Sequence, residues 1–109
     1  MPKGLLIVST NPASPEREDE YNQWYEDVHI VDVLKLQGFT AARRYRAVPA
    51  GPQPPAHAYS ALYEVEADDL PGALGNLLEA SRTGTVRSSD VIQLDPPPNL
   101  QLFELISES

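Results

Sequence analysis

The stretch NQWYEDVHIVDVLKLQGF, residues 22–39, decides how this chain folds. Its apolar residues recur at three- and four-residue spacing, which is the mark of an amphipathic helix, and Gly38 then supplies the left-handed stop that commonly closes one. Upstream, Ser14-Pro15-Glu16 reads as a helix start: Ser as N-cap, Pro at the first position where its missing N–H costs nothing, and an acidic residue facing the helix dipole. The spacing predicts a helix over residues 15–36. At about 100° per residue, Tyr21, Trp24, Tyr25, Val28 and Val31 fall on its apolar face, while Asp19, Gln23, Glu26 and Asp27 face solvent.

Strand signals flank this helix. Leu5-Leu6-Ile7-Val8 is an apolar run bounded by Gly4 and Asn11-Pro12, and it suits a strand buried on both faces. Phe39 to Val48 alternates with a period of two, as does Ala58 to Val65, which puts Tyr59, Ala61, Tyr63 and Val65 on one face. Between these two, AVPAGPQPPAH (47–57) is a Pro-rich arm that cannot join a central strand, so the sheet should not depend on it and short deletions should be tolerated. Asp68 or Asp69 can cap a second helix over 70–80, with Leu70, Leu74, Leu77 and Leu78 as its stripe. Residues 81–98 read as a long loop with a short turn near Ser88-Ser89-Asp90, and 100–106 as the last strand.

The order strand, helix, strand, strand, helix, strand is a split βαβ arrangement. It predicts one α+β domain over residues 1–109, a four-stranded antiparallel sheet with both helices on one face. Apolar residues on both alternating faces of several strands then call for a second copy of the sheet, hence a homodimer.

Composition narrows the function. Eight basic against sixteen acidic residues leave a net charge of −8, which disfavours nucleic acid and anionic membranes and leaves a small hydrophobic molecule as the expected partner. Without cysteine there is neither disulfide nor thiolate, a pattern suited to the cytoplasm. The apolar run at the start is too short for a signal-peptide core or a membrane span. No phosphate-binding Gly loop, dinucleotide fingerprint or His-Glu-x-x-His motif is present, so neither cofactor nor metal is expected.

His29 sits on the shoulder of the helix. Tyr25 lies four residues before it, Asn22 seven before, Asp32 three after and Val33 four after, so these groups share one side. A histidine there can move protons near neutral pH, a carboxylate can orient it, and a Tyr hydroxyl or Asn amide can bind a ligand oxygen. The competing reading is a hydrogen-bonded structural histidine with Trp24 and Tyr25 as core. In Arg43-Arg44-Tyr45-Arg46, alternate residues share a face, so only one of the two pairs can line a pocket. Such arginines either hold a substrate carbonyl or carboxylate, or form edge and dimer salt bridges.

The run Trp24-Tyr25-Glu26-Asp27-Val28-His29-Ile30-Val31-Asp32, followed by Gly38-Phe39 and Arg43-Arg44-Tyr45-Arg46, resembles the dimeric α/β-barrel superfamily, in particular its EthD-like branch. The sequence departs from that pattern at Val31, where proline is usual, so the helix is expected to run on more regularly past His29. The resemblance implies a ferredoxin-like homodimer with a ligand cavity between the sheet and the first helix. It further implies cofactor-independent chemistry of the cyclase, isomerase or dehydratase type on a carbonyl, phenolic or polyketide-like compound. In that reading His29 is the acid/base, with Tyr25 and Asp32 beside it, and Asn22, Trp24, Arg44 and Tyr63 bind substrate. Cofactor-free oxygenation, haem handling with His29 as axial ligand, and a non-catalytic small-molecule-binding or structural dimer are the alternatives.

Overall fold

A computed structural model describes residues 1–109. Strand β1 (Lys3–Thr10) leads through a 3₁₀ turn (Pro15–Arg17) into the first helix. That helix consists of α1 (Glu18–Trp24), a π turn (Tyr25–His29) and α2 (Ile30–Val33). Strands β2 (Phe39–Arg46) and β3 (Tyr59–Glu66), helix α3 (Leu70–Thr83) and strand β4 (Asn99–Glu104) complete the chain. The sheet order is β2-β3-β1-β4 and every pair is antiparallel. This is the four-stranded α+β arrangement that the order of sequence signals predicts.

The ends of the elements follow local chemistry. The first helix ends earlier than its spacing predicts: α2 stops at Val33 with Leu34 as its C-cap, and Gly38 (φ +95°) instead turns the chain into β2. Helix α3 runs on past residue 80 to Thr83 and is closed by Gly84 (φ +85°), in a region where a Cβ would be strained. The Asp69 carboxylate caps α3 by accepting from the Gly72 N–H at 3.0 Å. Ser14 differs from expectation: its side chain makes no capping bond, and its carbonyl instead accepts from the Arg17 N–H at 3.1 Å to form the 3₁₀ turn.

One face of the sheet carries the core. Leu6, Val8 and Thr10 from β1 and Tyr59, Ala61, Tyr63 and Val65 from β3 are all buried beneath the helices. The opposite face of β1 is only half-buried at Leu5, Ile7 and Ser9, so within one chain β1 is covered on one side rather than both.

Helix burial departs from simple periodicity in two places. In α3 the buried positions are Leu70, Ala73, Leu77 and Ala80, while Leu78 is 52% exposed, because the small alanines let the helix approach the sheet along their own stripe. In the first helix, Tyr21 and Tyr25 are buried as expected, but Val31 is exposed and Asp32 and Val33 are buried instead. The cause is the π turn. Its i→i+5 bonding inserts one extra residue, so the core-facing phase slips by one position beyond Tyr25. The irregularity thus includes His29, and α-helix resumes for only four residues, Ile30–Val33, against the expectation of a regular helix running on past His29.

Candidate functional site

The helix-facing side of the sheet presents Tyr59 and Tyr63 on β3 and, one strand over, Arg44 and Arg46 on β2, with Ala61 opposite Arg44 and Tyr59 opposite Arg46. This settles which side of the Arg43–Arg46 run faces the helices. Arg43 and Tyr45 point the other way, where Arg43 pairs with Glu64 at 2.7 Å and Tyr45 is exposed.

Above this surface the first helix lays two parallel stripes. The first is aromatic: Tyr21 and Tyr25 pack with ring centroids 5.2 Å apart and planes tilted by 60°, and the Tyr21 hydroxyl hydrogen-bonds the Thr10 hydroxyl. The second is polar and repeats every four residues, as Glu18, Asn22 and Glu26. The Tyr59 hydroxyl donates to the Glu18 carboxylate at 2.6 Å and accepts from the Asn22 amide at 3.3 Å. Arg44 donates to Asn22 Oδ1 at 2.8 Å and to the Glu26 carboxylate at 2.9 Å. Its guanidinium, only 13% exposed, lies over three tyrosine rings, 4.6 Å from Tyr25, 5.5 Å from Tyr59 and 5.6 Å from Tyr21. A largely desolvated cation over aromatic faces is attracted by the ring quadrupoles as well as by its carboxylate. Glu18 and Glu26 were not among the residues singled out from sequence. Their spacing of four from Asn22 is the available signal, and Glu26 lies on the solvent side as its helical position predicts.

His29 owes its surroundings to the π turn. In an α-helix, residues five apart diverge by about 140° at 100° per residue, so Trp24 and His29 would not meet. The widened turn stacks them, with centroids 4.9 Å apart and planes 27° from parallel, and sets Tyr25 edge-on to the imidazole at 4.9 Å. His29 Nδ1 is buried and has no hydrogen-bond partner. Burial pulls the imidazole pKa down to about 4, with the Asp32 charge opposing.

Asp32 is committed elsewhere. It is 6% exposed and accepts three hydrogen bonds of 2.9 Å from Arg87, from the backbone N–H, Nε and Nη2. These bonds hold its pKa down at about 2 and fasten the loop after α3 to the helix. Its effect on His29 is therefore electrostatic.

The other buried polar atom without a partner is the Tyr63 hydroxyl, on a residue with 0% exposure. Burial raises its pKa well above the ordinary phenol range and pushes Tyr25 up to about 12, so both stay neutral phenols. The structure thus brings Asn22, Tyr25 and Arg44 into one cluster on the sheet face that carries Tyr63, packs His29 and Trp24 against Tyr25, and ties Asp32 to Arg87. No group of three or more His, Cys, Asp or Glu side chains converges as a metal site, and no helix is long and apolar enough to cross a membrane.

Three cavities stand out. The largest, about 510 Å³, lies on the outer sheet face between Leu5, Arg43, Phe103 and the C-terminal residues Leu105 and Ile106. Two smaller ones, of about 330 and 290 Å³, share Asn11 and Glu18 at the end of the helix-sheet interface. None of the three is lined by His29, Tyr25 or Tyr63, so none of them is the cavity expected beneath the first helix.

Strand order, helix placement and a polar cluster between helix and sheet define a ferredoxin-like α+β protein, and solved structures of that kind superpose along the whole chain. An EthD (ethyl tert-butyl ether D) family protein from Bacillus halodurans C-125 matches with a TM-score of 0.61 at 14% identity, over 97% of this chain and 100% of the other. The heme-degrader MhuD from Mycobacterium tuberculosis, with two hemes bound in its active site, matches at 0.62 and 16% identity, over 97% and 98%. A dimeric ferredoxin-like protein from an uncultured marine organism matches at 0.61 and 13% identity, over 100% of both chains. At these identities the likeness is one of fold. A family model described as a domain of unknown function, DUF4286, matches residues 6–71, and the chain belongs to that family. No curated protein matches it.

Proposed function

We propose that this chain binds a small, mostly apolar molecule carrying a carbonyl or phenolic oxygen between the first helix and the sheet, and moves a proton on it without a cofactor. One observation carries the reading: the fully buried Tyr63 hydroxyl has no partner. A buried hydroxyl left unsatisfied costs about 1–3 kcal/mol, and a ligand oxygen accepting from it would offset that cost. Tyr63 is the hydrogen-bond donor in this scheme, and Arg44 supplies positive charge to an oxyanion forming beside the tyrosines. His29, neutral at pH 7, is the base: it takes a proton from the ligand and returns it at another atom, with Asn22, Trp24 and Tyr25 orienting the molecule.

A second reading has its own support. His29 packs between Trp24 and Tyr25 with none of the principal cavities beside it, which suits a binding protein without catalysis. In both readings the chain is a homodimer. The outer sheet face carries Leu5, Ile7, Leu62 and Phe103 beside the Arg43–Glu64 ion pair, with Tyr45 at its margin, an apolar strip that one layer of helices on the opposite side cannot cover.

Acetophenone and phenol serve as probes in a two-dimensional amide NMR titration, repeated with Tyr63→Phe. Saturable shifts at Tyr25, Arg44 and Tyr63 that weaken at least several-fold in the variant are expected. Shifts confined to the outer sheet face, or equal binding by both proteins, would refute the site. Deuterium exchange into the acetophenone methyl group, lost in His29→Ala, separates proton transfer from mere binding.

A further inference from the structure

The strand FTAARRYR brings three arginines into an acidic chain, and two of them have obvious tasks. Arg43 pairs with Glu64 on the outer face and Arg44 with Glu26 on the inner. Arg17, Arg82 and Arg87 are likewise paired, with Glu20 and Asp90, with Glu79, and with Asp32. Arg46 is the exception: its guanidinium makes neither ion pair nor side-chain hydrogen bond, although acidic residues outnumber basic ones sixteen to eight. Arg46 is exposed, so its guanidinium is open to a ligand.

Arg46 also stands in a formed site. The cavity of about 290 Å³ beneath the Pro-rich arm is walled by Arg46, Ala47, Pro49, Pro55, Ala58 and Tyr59. The Tyr59 ring, 5% exposed, has its hydroxyl fixed by Glu18, and the Arg46 guanidinium lies 5.8 Å from the ring centroid. The arm is not free to drift away, because the Asn11 side chain accepts from the Ala58 N–H at 2.7 Å and donates to the Ala56 carbonyl at 3.2 Å. The remaining charged wall is Glu18, whose carboxylate already accepts the Tyr59 hydroxyl at 2.6 Å. The site therefore offers one uncommitted cation, flat apolar walls and one carboxylate that would repel a doubly charged anion.

We propose that this cavity is a binding site for a small monoanionic aromatic carboxylate, with the carboxylate in a two-point grip on Arg46 and the ring held among Pro49, Pro55 and Tyr59. The planar guanidinium fork matches a carboxylate in geometry and charge. A ring of benzoate size fits the space, whereas polyanions are turned away by Glu18 and by the net charge of −8. The site adjoins the Tyr63 cluster through Tyr59, whose hydroxyl also accepts from Asn22, but it does not require proton transfer there.

The test is an amide and arginine-Nε NMR titration of the full chain with benzoate, with neutral, similarly shaped benzamide as control. Saturable shifts at Arg46 Nε, Ala47, Ala58 and Tyr59 are expected, with benzamide at least ten-fold weaker. Arg46→Gln, which breaks no bond of the fold, should weaken benzoate at least ten-fold and leave acetophenone binding at the Tyr63 cluster unchanged. Equal affinity for benzoate and benzamide, an unaffected Arg46→Gln, or no saturable shift at these residues would each overturn the assignment. The benzoate-benzamide comparison uses the unmutated protein, so the result does not depend on how the variant folds.

Discussion

Replacing Tyr63 by phenylalanine should make the protein more stable, which is an unusual expectation for a fully buried core residue. The ring keeps its packing, including the edge-on contact with Phe39 at 6.4 Å between centroids, and only the unpartnered hydroxyl is lost. An unsatisfied buried polar group costs about 1–3 kcal/mol, so the variant should gain that amount in unfolding free energy. For a domain near this size, each kcal/mol corresponds to roughly 4 °C in Tm. Urea unfolding followed by tryptophan fluorescence, at one fixed protomer concentration, should show a higher midpoint at unchanged m-value. The same variant should bind phenol more weakly, the familiar trade of stability against function at a site built for a ligand. A midpoint that falls, or does not move, would mean that the hydroxyl is satisfied in the folded protein and would remove the main support for a ligand site beneath the first helix.

Asp32→Asn should cost about 1–2 kcal/mol at pH 7, since the carboxyl sits at about 2 against an ordinary 3.8 and its partner Arg87 is 57% exposed and partly screened. Because the folded-state value is the lower one, that stability is present above pH 3.8 and lost as the pH falls towards 2, so the unfolding curves of variant and parent should converge there. His29 carries the opposite charge logic: its lowered pKa favours the neutral fold, so stability should fall as pH drops from 6.5 towards 4, and His29→Gln should flatten that slope in acid titrations. His29→Ala should stay folded while any turnover falls by about 10² to 10⁴, with Tyr25→Phe doing less; unchanged turnover would make the histidine structural. Sedimentation should give a dimer of the 12.0 kDa chain, and Leu62→Glu should yield monomers; a parent monomer at micromolar concentration would sink the dimer.

The parts of the fold legible in sequence are those written locally. Pro15 opens the first helical turn, Asp69 caps α3, and the period of two places Tyr59, Ala61, Tyr63 and Val65 together, because each of these depends on neighbours within a few residues. The π turn was not legible, since no residue in YEDVH demands it. Packing two tyrosines against the sheet sets the phase on one side of the turn, and burying Val33 and Asp32 sets it on the other. The partner of Asp32 lies 55 residues away in a segment whose sequence signals only a loop, so local spacing points to His29 and not to Arg87. Likewise, Arg43 and Arg44 could not be sorted between faces until the register of β2 against β3 was fixed, and that register includes an irregularity between Phe39 and Ala41.

The charges around Arg44 decide what the cluster can do. Arg44, paired with Glu26, pulls the phenol pKa values down, but burial outweighs it, holding Tyr25 at about 12 and raising Tyr63 well above the ordinary phenol range. At pH 7 these tyrosines are therefore hydrogen-bond donors rather than bases or nucleophiles. A proton acceptor must come from elsewhere, and the neutral imidazole of His29 is the group that adjoins Tyr25. A ligand that draws Glu26 away from Arg44, by offering its own developing oxyanion, would leave the guanidinium's charge directed into the site. Stabilisation of that kind grows as negative charge builds on the ligand, which is the condition for lowering a barrier rather than merely tightening binding. Glu26→Gln should then tighten the binding of anionic phenolates while leaving neutral acetophenone unaffected, and an equal effect on both probes would show that the ion pair only braces the helix.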